Sequence, residues 1–536
     1  MFTGADSFHR HRHRHRHRHR HRHRHRPVDP KAPQALVVGA GLGGLAAAMR
    51  LGARGYRVTV LDRLDTPGGR GSAIHQGGHR FDLGPTIVTV PQVFRDLWAA
   101  CGRRFDDDVD LRPLDPFYEI RWPDGSRFRV GPDAGAMRQE VARLSPGDLA
   151  GYTRFLRDSE ERYRIGFENL GRRPMHRLAD LIRVLPTFAR LRADRSVYGH
   201  AARCVRDERL RMALSFHPLF IGGDPCHVTS IYALVNHLES AFGVHYAMGG
   251  VARIAEAMAN VVTGQGGVIR QRAEVDEIKV AGGRARGVRL TGGEEVPADI
   301  VISNADAGHT YDHLLRGLVR RRWTTPRLRR TRWSMSLFVW YFGTRGTRGK
   351  WRDVGHHTIL NGPRYRGLLR DIFIKGHLAE DMSLYVHRPS VTDPGVAPDG
   401  GDTFYALSPV PHLGHKSPVD WSDMAGRYKD RVLKVLEREL LPGLSGHLAE
   451  SLVFTPETFR DRYLSPHGAA FSIEPRILQS AWFRPHNISE EVQGLYLVGA
   501  GTHPGAGLPG VVGSAEILDQ LVPDAQAAPS LPVAAE

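Results

Sequence analysis

The chain has 536 residues, 41% hydrophobic and 24% charged, with three cysteines and a formal charge of +17. That length exceeds what one hydrophobic core holds and points to two large domains or more. Three scattered cysteines (Cys101, Cys204, Cys226) exclude a disulfide framework and a CxxC metal pair, a reducing cytosol is the default, and no metal ligand set is expected.

The charge has a local source. Residues 9–26 are a strict His-Arg repeat with nine arginines, so the rest of the chain carries only +8. This tail cannot bury anything and is expected to be disordered. A metal-binding tract, a basic arm for anionic surfaces and a functionless low-complexity stretch are its three readings. Nucleic acid is excluded as a partner, because no recognition motif accompanies the charge. No secretory signal and no apolar run long enough to cross a bilayer is visible, so contact with a membrane would be peripheral.

The first predicted elements form one unit. Ala35-Leu36-Val37-Val38 reads as a buried strand, Gly39-Ala40-Gly41-Leu42-Gly43-Gly44 as a glycine turn, 45–51 as a helix, and 56–61 as a strand ending in Asp62. In that order they make the dinucleotide-binding fingerprint in its required context. Gly39 suits the tight turn, Gly41 the approach of a pyrophosphate, and Gly44 close packing of helix on strand. Asp62 can accept from ribose hydroxyls, and the helix N-terminus offers N–H groups to phosphate. Thr66-Pro67-Gly68-Gly69-Arg70 adds a second glycine pair, for which an ordinary turn is the bland reading. With the fingerprint before it, the pair resembles the extended FAD motif of amine-oxidase-like flavoproteins.

Further on, Phe81-Asp82-Leu83-Gly84-Pro85-Thr86 reads as a loop bringing backbone to a ligand, with a helix over 91–101 behind it. Alternation over 111–130, turned at Pro123-Asp124-Gly125, predicts an antiparallel sheet outside the nucleotide domain. Ser145-Pro146-Gly147-Asp148 opens a helical block reaching about residue 251. Asp148 is a candidate acid there, although a helix cap explains it better. Nucleotide-domain texture resumes at 249–270 with a glycine turn, a helix over 251–262 and a strand over 267–270. Alternating segments around Val275 and a buried strand over 299–305 follow. A second interruption holds strands over 333–342 and 383–387 and a helix over 424–440. The chain closes on a strand over 495–498, the glycine-dense turn Gly499-Ala500-Gly501-Thr502-His503-Pro504-Gly505-Ala506-Gly507-Leu508-Pro509-Gly510-Val511, and a helix from about 512.

The expected fold is therefore α/β: a Rossmann-type FAD-binding domain interrupted by an α+β substrate domain with a mixed sheet and a helical, membrane-facing part. The FAD-binding domain takes 34–110, 246–306 and 466–522. The substrate domain takes 111–245 and 307–465. Tails cover 1–33 and 523–536.

In order along the chain, the fingerprint, Gly68-Gly69-Arg70, Phe81 to Thr86, Ser196-Val197-Tyr198, Ser215-Phe216-His217, Ser303-Asn304-Ala305-Asp306, His356-His357-Thr358, Gln479-Ser480-Ala481-Trp482-Phe483-Arg484-Pro485-His486-Asn487 and the closing glycine turn resemble the bacterial-type phytoene desaturase family. The resemblance covers about residues 35–521. It implies an FAD-dependent carotenoid desaturase that carries 15-cis-phytoene through phytofluene, ζ-carotene and neurosporene towards lycopene. Such an enzyme lies on the cytoplasmic side of a bacterial membrane as a peripheral protein, takes a C40 carotene from the bilayer and passes electrons to quinone or oxygen. Another carotenoid desaturase, acting on hydroxyneurosporene or diapophytoene, is the nearest alternative, and an amine or porphyrinogen oxidase the next.

Carried onto this chain, the FAD contacts are Gly39, Gly41, Gly44, Asp62, Gly68, Gly69, Arg70, Pro85, Thr86, Val275, Gly499, Gly501, Gly510 and Val511. The proton acceptor is left open among His503, Asp148 and His217.

Overall fold

A computed structural model describes residues 29–525. The His-Arg repeat and the last residues of the C-terminal tail lie outside the described residues. Of the residues expected to begin that tail, Pro523 accepts a hydrogen bond from Tyr56 and Asp524 pairs with Arg54.

Five short parallel strands form the central sheet, in the order Leu495–Leu497, Ile300–Ser303, Gln34–Val38, Arg57–Leu61, Val268–Arg270. Strands far apart in the chain thus share one sheet. The inner strands are near-continuously apolar because both faces are covered, whereas Val268–Arg270 at the edge leaves Val268 exposed. Helices Leu42–Ala53, Ala252–Gly264 and Leu508–Asp519 pack over one face. A three-stranded antiparallel sheet, Val275–Ala281, Arg284–Leu290 and Glu295–Pro297, supplies Ile278 and Val288 to the core on the other, against Leu36, Leu61 and Val301.

The second sheet has seven strands, in the order Leu448–Phe454, Ser336–Thr344, Asp402–Val410, Leu384–His387, His357–Leu360, Tyr118–Arg121, Arg127–Val130. It is antiparallel except where His357–Leu360 runs parallel to Tyr118–Arg121. Ser336–Thr344 shows how one strand serves two cores. Its side chains alternate, so Leu337, Val339 and Tyr341 face the helical block while Phe338, Trp340 and Phe342 face helix Trp421–Glu439.

Several boundaries differ from the sequence reading, two of them for a visible reason. Trp333 lies outside its strand and bridges Ile473 instead. The last helix begins at Leu508 rather than 512, because Pro509 is compatible with a first helical turn and Gly507, at φ 96°, makes the sharp entry that precedes it.

Candidate active site

A cavity of about 550 Å³ runs between the two sheets. Its nucleotide end is built on the glycine turn. Gly39 has φ 97°, and an alanine Cβ at Gly44 would stand 2.0 Å from the Gly39 carbonyl oxygen. The helix Leu42–Ala53 can lie this close to the strand only with hydrogen at that position. No side chain caps the helix and its first turn holds no acid, while Gly41, Leu42 and Gly43 border the cavity. Its N-terminus is thus a ready seat for a pyrophosphate. Gly68 and Gly69 lie directly on this turn: Gly68 N–H donates to the Ala40 carbonyl, and a Cβ on Gly69 would come 3.3 Å from Gly41 Cα.

Asp62 sits at the tip of its strand, buried and on the cavity wall. Its carboxylate accepts from Ala40 N–H at 2.6 Å and Leu64 N–H at 2.7 Å, which holds it towards the turn and still leaves acceptor capacity. Burial pushes its carboxyl up, against those two N–H groups. Removing that acceptor as Asp62→Ala is expected to lower FAD affinity at least about tenfold, since a charged hydrogen bond contributes roughly 1.5–3 kcal/mol; equilibrium dialysis of the apoprotein with FAD checks it.

Arg70, Pro85, Thr86, Val275, Gly499, Gly510 and Val511 also border the cavity. The loop carrying Pro85 and Thr86 is held by Asp82, which accepts from Val251 N–H at the start of helix Ala252–Gly264. Gly501 is not on the wall: it packs against Ala307 and Ser472, where a Cβ would stand 2.9 Å from Ala307. Gly44 likewise packs helix on strand without bordering the cavity.

Asn304 was missed as a site residue. Its Nδ2 donates to the Gly39 carbonyl at 3.3 Å, and a Cβ on Gly499 would meet its Oδ1 at 2.7 Å. It therefore joins the first and last glycine turns. Its signal lay in the Ser303-Asn304-Ala305-Asp306 stretch, already part of the resemblance. The half-buried Arg70 fits a large polar ligand here: it bonds Ser465 through Nη2, and its Nε is buried without a partner among the described residues. Backbone cradle, free helix end, acid and under-partnered guanidinium suit an adenine dinucleotide.

The far end of the cavity is apolar, enclosed by Phe167, Phe220, Leu238, Val339, Leu368 and Tyr385, among others. Two candidate proton acceptors border the cavity. His503 is buried, and its Nε2 stands 2.9 Å from the Leu170 carbonyl. A carbonyl only accepts, so the proton is on Nε2; Nδ1 is a lone pair with no partner among the described residues. His217 has its ring nitrogens engaged, Nε2 with Glu239 at 3.1 Å and Nδ1 with Asn236 at 3.4 Å, and Tyr118 donates to the same Glu239 oxygen.

Asp148 does not border the cavity. It accepts from Ser145 Oγ and from the N–H groups of Arg206 and Asp207, clamping the start of helix Leu149–Arg162 to the turn before helix Glu208–Ser215. Burial pushes its carboxyl up, but these three donors outweigh that and hold it below the usual range. It has no free oxygen turned to the cavity and is a structural clamp.

Burial drives many histidines down, His503, His309 and His486 to about 4 and His200, His356 and His412 to about 3. Below the unfolded value of about 6.5, the unfolded chain binds protons that the fold refuses. Their contribution to stability is thus complete above pH 6.5 and lost as pH falls towards 4 and 3. Asp82, raised to about 7 by burial, acts oppositely, as do Asp62, Asp306, Glu474 and Glu490, whose carboxyls burial also raises. Thermal melts are expected to show Tm dropping steeply between about pH 6.5 and 4.5.

Residues 42–517 match the family model described as flavin containing amine oxidoreductase. A phytoene desaturase (neurosporene-forming) of Cereibacter sphaeroides is 70% identical over 494 residues, 92% of this chain and 95% of that protein. A phytoene desaturase (lycopene-forming) of a Paracoccus species is 44% identical over 493 residues, 92% and 98% of the two chains. Among solved structures, an oxidoreductase from Methanosarcina mazei has a TM-score of 0.60 at 18% identity, covering 90% of this chain and 98% of its own. That last likeness concerns the fold alone.

Proposed function

The chain belongs to the flavin containing amine oxidoreductase family and, within it, to the bacterial phytoene desaturases, and from that premise we propose that it desaturates phytoene and stops at neurosporene. It is an FAD-dependent oxidoreductase acting on CH–CH bonds. The observation that carries the reading is one continuous cavity, a dinucleotide cradle at one end and an apolar chamber at the other. A carotene offers nothing to hydrogen-bond, so its binding rests on apolar burial at roughly 25 cal/mol per Å². The stop at neurosporene rests on the relative named for that product at 70% identity, against 44% for the one named for lycopene.

FAD, when bound, supplies the hydride acceptor. The chain's own part is to hold the carotene extended in the chamber, exclude water and take up the proton. His503 is the acceptor we favour, because it borders the cavity and its Nδ1 has no partner among the described residues. Its lowered basicity is no obstacle: a C–H beside a carbon that has lost hydride is strongly acidic. The electrons then pass to quinone or oxygen.

No helix among the described residues is long and apolar enough to cross a membrane. Helix Leu178–Arg190 fits a peripheral contact. Leu178, Ile182 and Leu185 share one face and are 58%, 59% and 51% exposed, Phe188 reaches the cavity wall, and Arg177, Arg183 and Arg190 flank them. The carotene would enter here, from the cytoplasmic leaflet. Ile182→Glu with Leu185→Glu is expected to weaken liposome binding about tenfold or more, since each loses the burial of an aliphatic side chain; co-sedimentation with anionic vesicles measures it.

Expression in a phytoene-accumulating host, followed by pigment chromatography, tests the reaction. Neurosporene as end product is expected. Lycopene would keep the desaturase and overturn the stopping point, and unchanged phytoene would overturn both.

A further inference from the structure

Behind the chamber wall, three histidines distant from the glycine turns converge. His357 opens strand His357–Leu360 with His356 just before it, and His387 closes the neighbouring strand, paired in register with His357. All three are at least nine-tenths buried. One ring nitrogen from each lies within 4.8 Å of those of the other two, and His356 Nε2 stands 3.1 Å from His387 Nε2. His357 Nε2 is buried with no partner among the described residues. The sequence reading expected no metal, on the absence of a CxxC pair; these histidines lie on strands about thirty residues apart.

We propose that His356, His357 and His387 form a site for a divalent transition metal of the zinc class, separate from the dinucleotide cradle. Three features support it. Two nitrogens bound tetrahedrally to one zinc at about 2.0–2.1 Å lie roughly 3.3–3.4 Å apart, close to the His356–His387 separation. The outward nitrogens of two rings are already held: His356 Nδ1 by Thr392 Oγ1 and His357 Nδ1 by the Tyr385 hydroxyl, each at 2.6 Å. With Nδ1–H donating to those oxygens, each Nε2 lone pair is turned to the shared centre, the arrangement that orients metal-bound imidazoles.

The third feature is the donor set. Three imidazoles with no carboxylate or thiolate select zinc, copper, nickel or iron over magnesium and calcium. All three rings are buried, and a neutral imidazole is the form that binds a metal. Three protein ligands leave a fourth position for water or hydroxide. The metal would also reach the cavity indirectly. A loaded His357 must donate from Nδ1 to Tyr385, whose hydroxyl then donates to Thr86 Oγ1, 2.7 Å away on the wall. Loading would thus set the direction of that hydrogen-bond chain.

The His-Arg repeat also carries imidazoles, so the test must separate the two. Full-length chain is expressed in zinc-supplemented medium, washed with excess EDTA, and analysed for metal and by thermal melting. About one zinc per chain is expected to survive the wash, and zinc-loaded protein should melt several degrees above metal-free protein, because only the fold assembles a buried site. In His387→Gln and His357→Phe the retained zinc and the Tm difference should both vanish, with FAD content unchanged. Retained zinc below about a tenth per chain in the unsubstituted protein, with no Tm rise, overturns the site whether or not the variants fold. Zinc retained equally in a folded His387→Gln chain overturns it as well.

Discussion

Gly44→Ala is expected to abolish FAD retention and to destabilise the fold by about 3 kcal/mol or more, at or beyond the upper end of ordinary overpacking. The new Cβ would stand 2.0 Å from the Gly39 carbonyl oxygen and 3.1 Å from Asn304 Cβ. The first of these is a backbone atom that no rotamer change can move. Gly39 itself is held at φ 97° by the turn, so relief requires helix Leu42–Ala53 to move away from its strand. That displaces the N–H groups that would meet the pyrophosphate and loosens Asp62 from Ala40. Bound FAD after purification, read by absorbance, should fall below about a tenth of the unsubstituted level, and Tm should fall with it. Gly264→Ala is the control. Its Cβ meets nothing within 4 Å at the end of helix Ala252–Gly264, so the same change should be neutral or slightly stabilising. Near-normal FAD content in Gly44→Ala would overturn the account of the turn.

His503→Gln is expected to keep FAD and fold while the rate of desaturation falls by about 10²–10⁴, the usual contribution of a positioned proton acceptor. Glutamine can still donate to the Leu170 carbonyl, so the bond made by His503 Nε2 is preserved and only the basic lone pair is lost. Anaerobic single-turnover absorbance, with carotene in liposomes, isolates the chemical step from reoxidation. A fall in kcat with KM held separates loss of chemistry from loss of binding. A rate within about threefold of the unsubstituted enzyme would pass the role to His217 or to a group on the opposite wall. His217→Gln is the partner experiment. Because Glu239 and Asn236 already engage its nitrogens, its loss should disturb the buried Tyr118–Glu239 network and lower stability more than it slows the chemistry.

What the sequence determined by itself is what depends on neighbours in the chain. The glycine turn with Gly68-Gly69, the alternation over 111–130 and the apolar strands at 35–38 and within 299–305 follow from backbone φ preferences and side-chain periods, which act over a few residues. The family resemblance added FAD and the class of chemistry by the same route, as motifs in order.

Tertiary structure alone decided which polar groups meet. Asp148 and His503 both stand as candidate acids or bases in the sequence, although a helix cap suits Asp148 better. One is spent on the N–H groups of Arg206 and Asp207, while the other borders the cavity and has a ring nitrogen without a partner among the described residues. Only strand pairing sets His387 against His357, and only the crossing of three chain segments places Asn304 beneath both glycine turns. Such contacts are invisible to periodicity, because a buried side chain's partners are set by which strands share a sheet, and that choice depends on the burial of the whole chain.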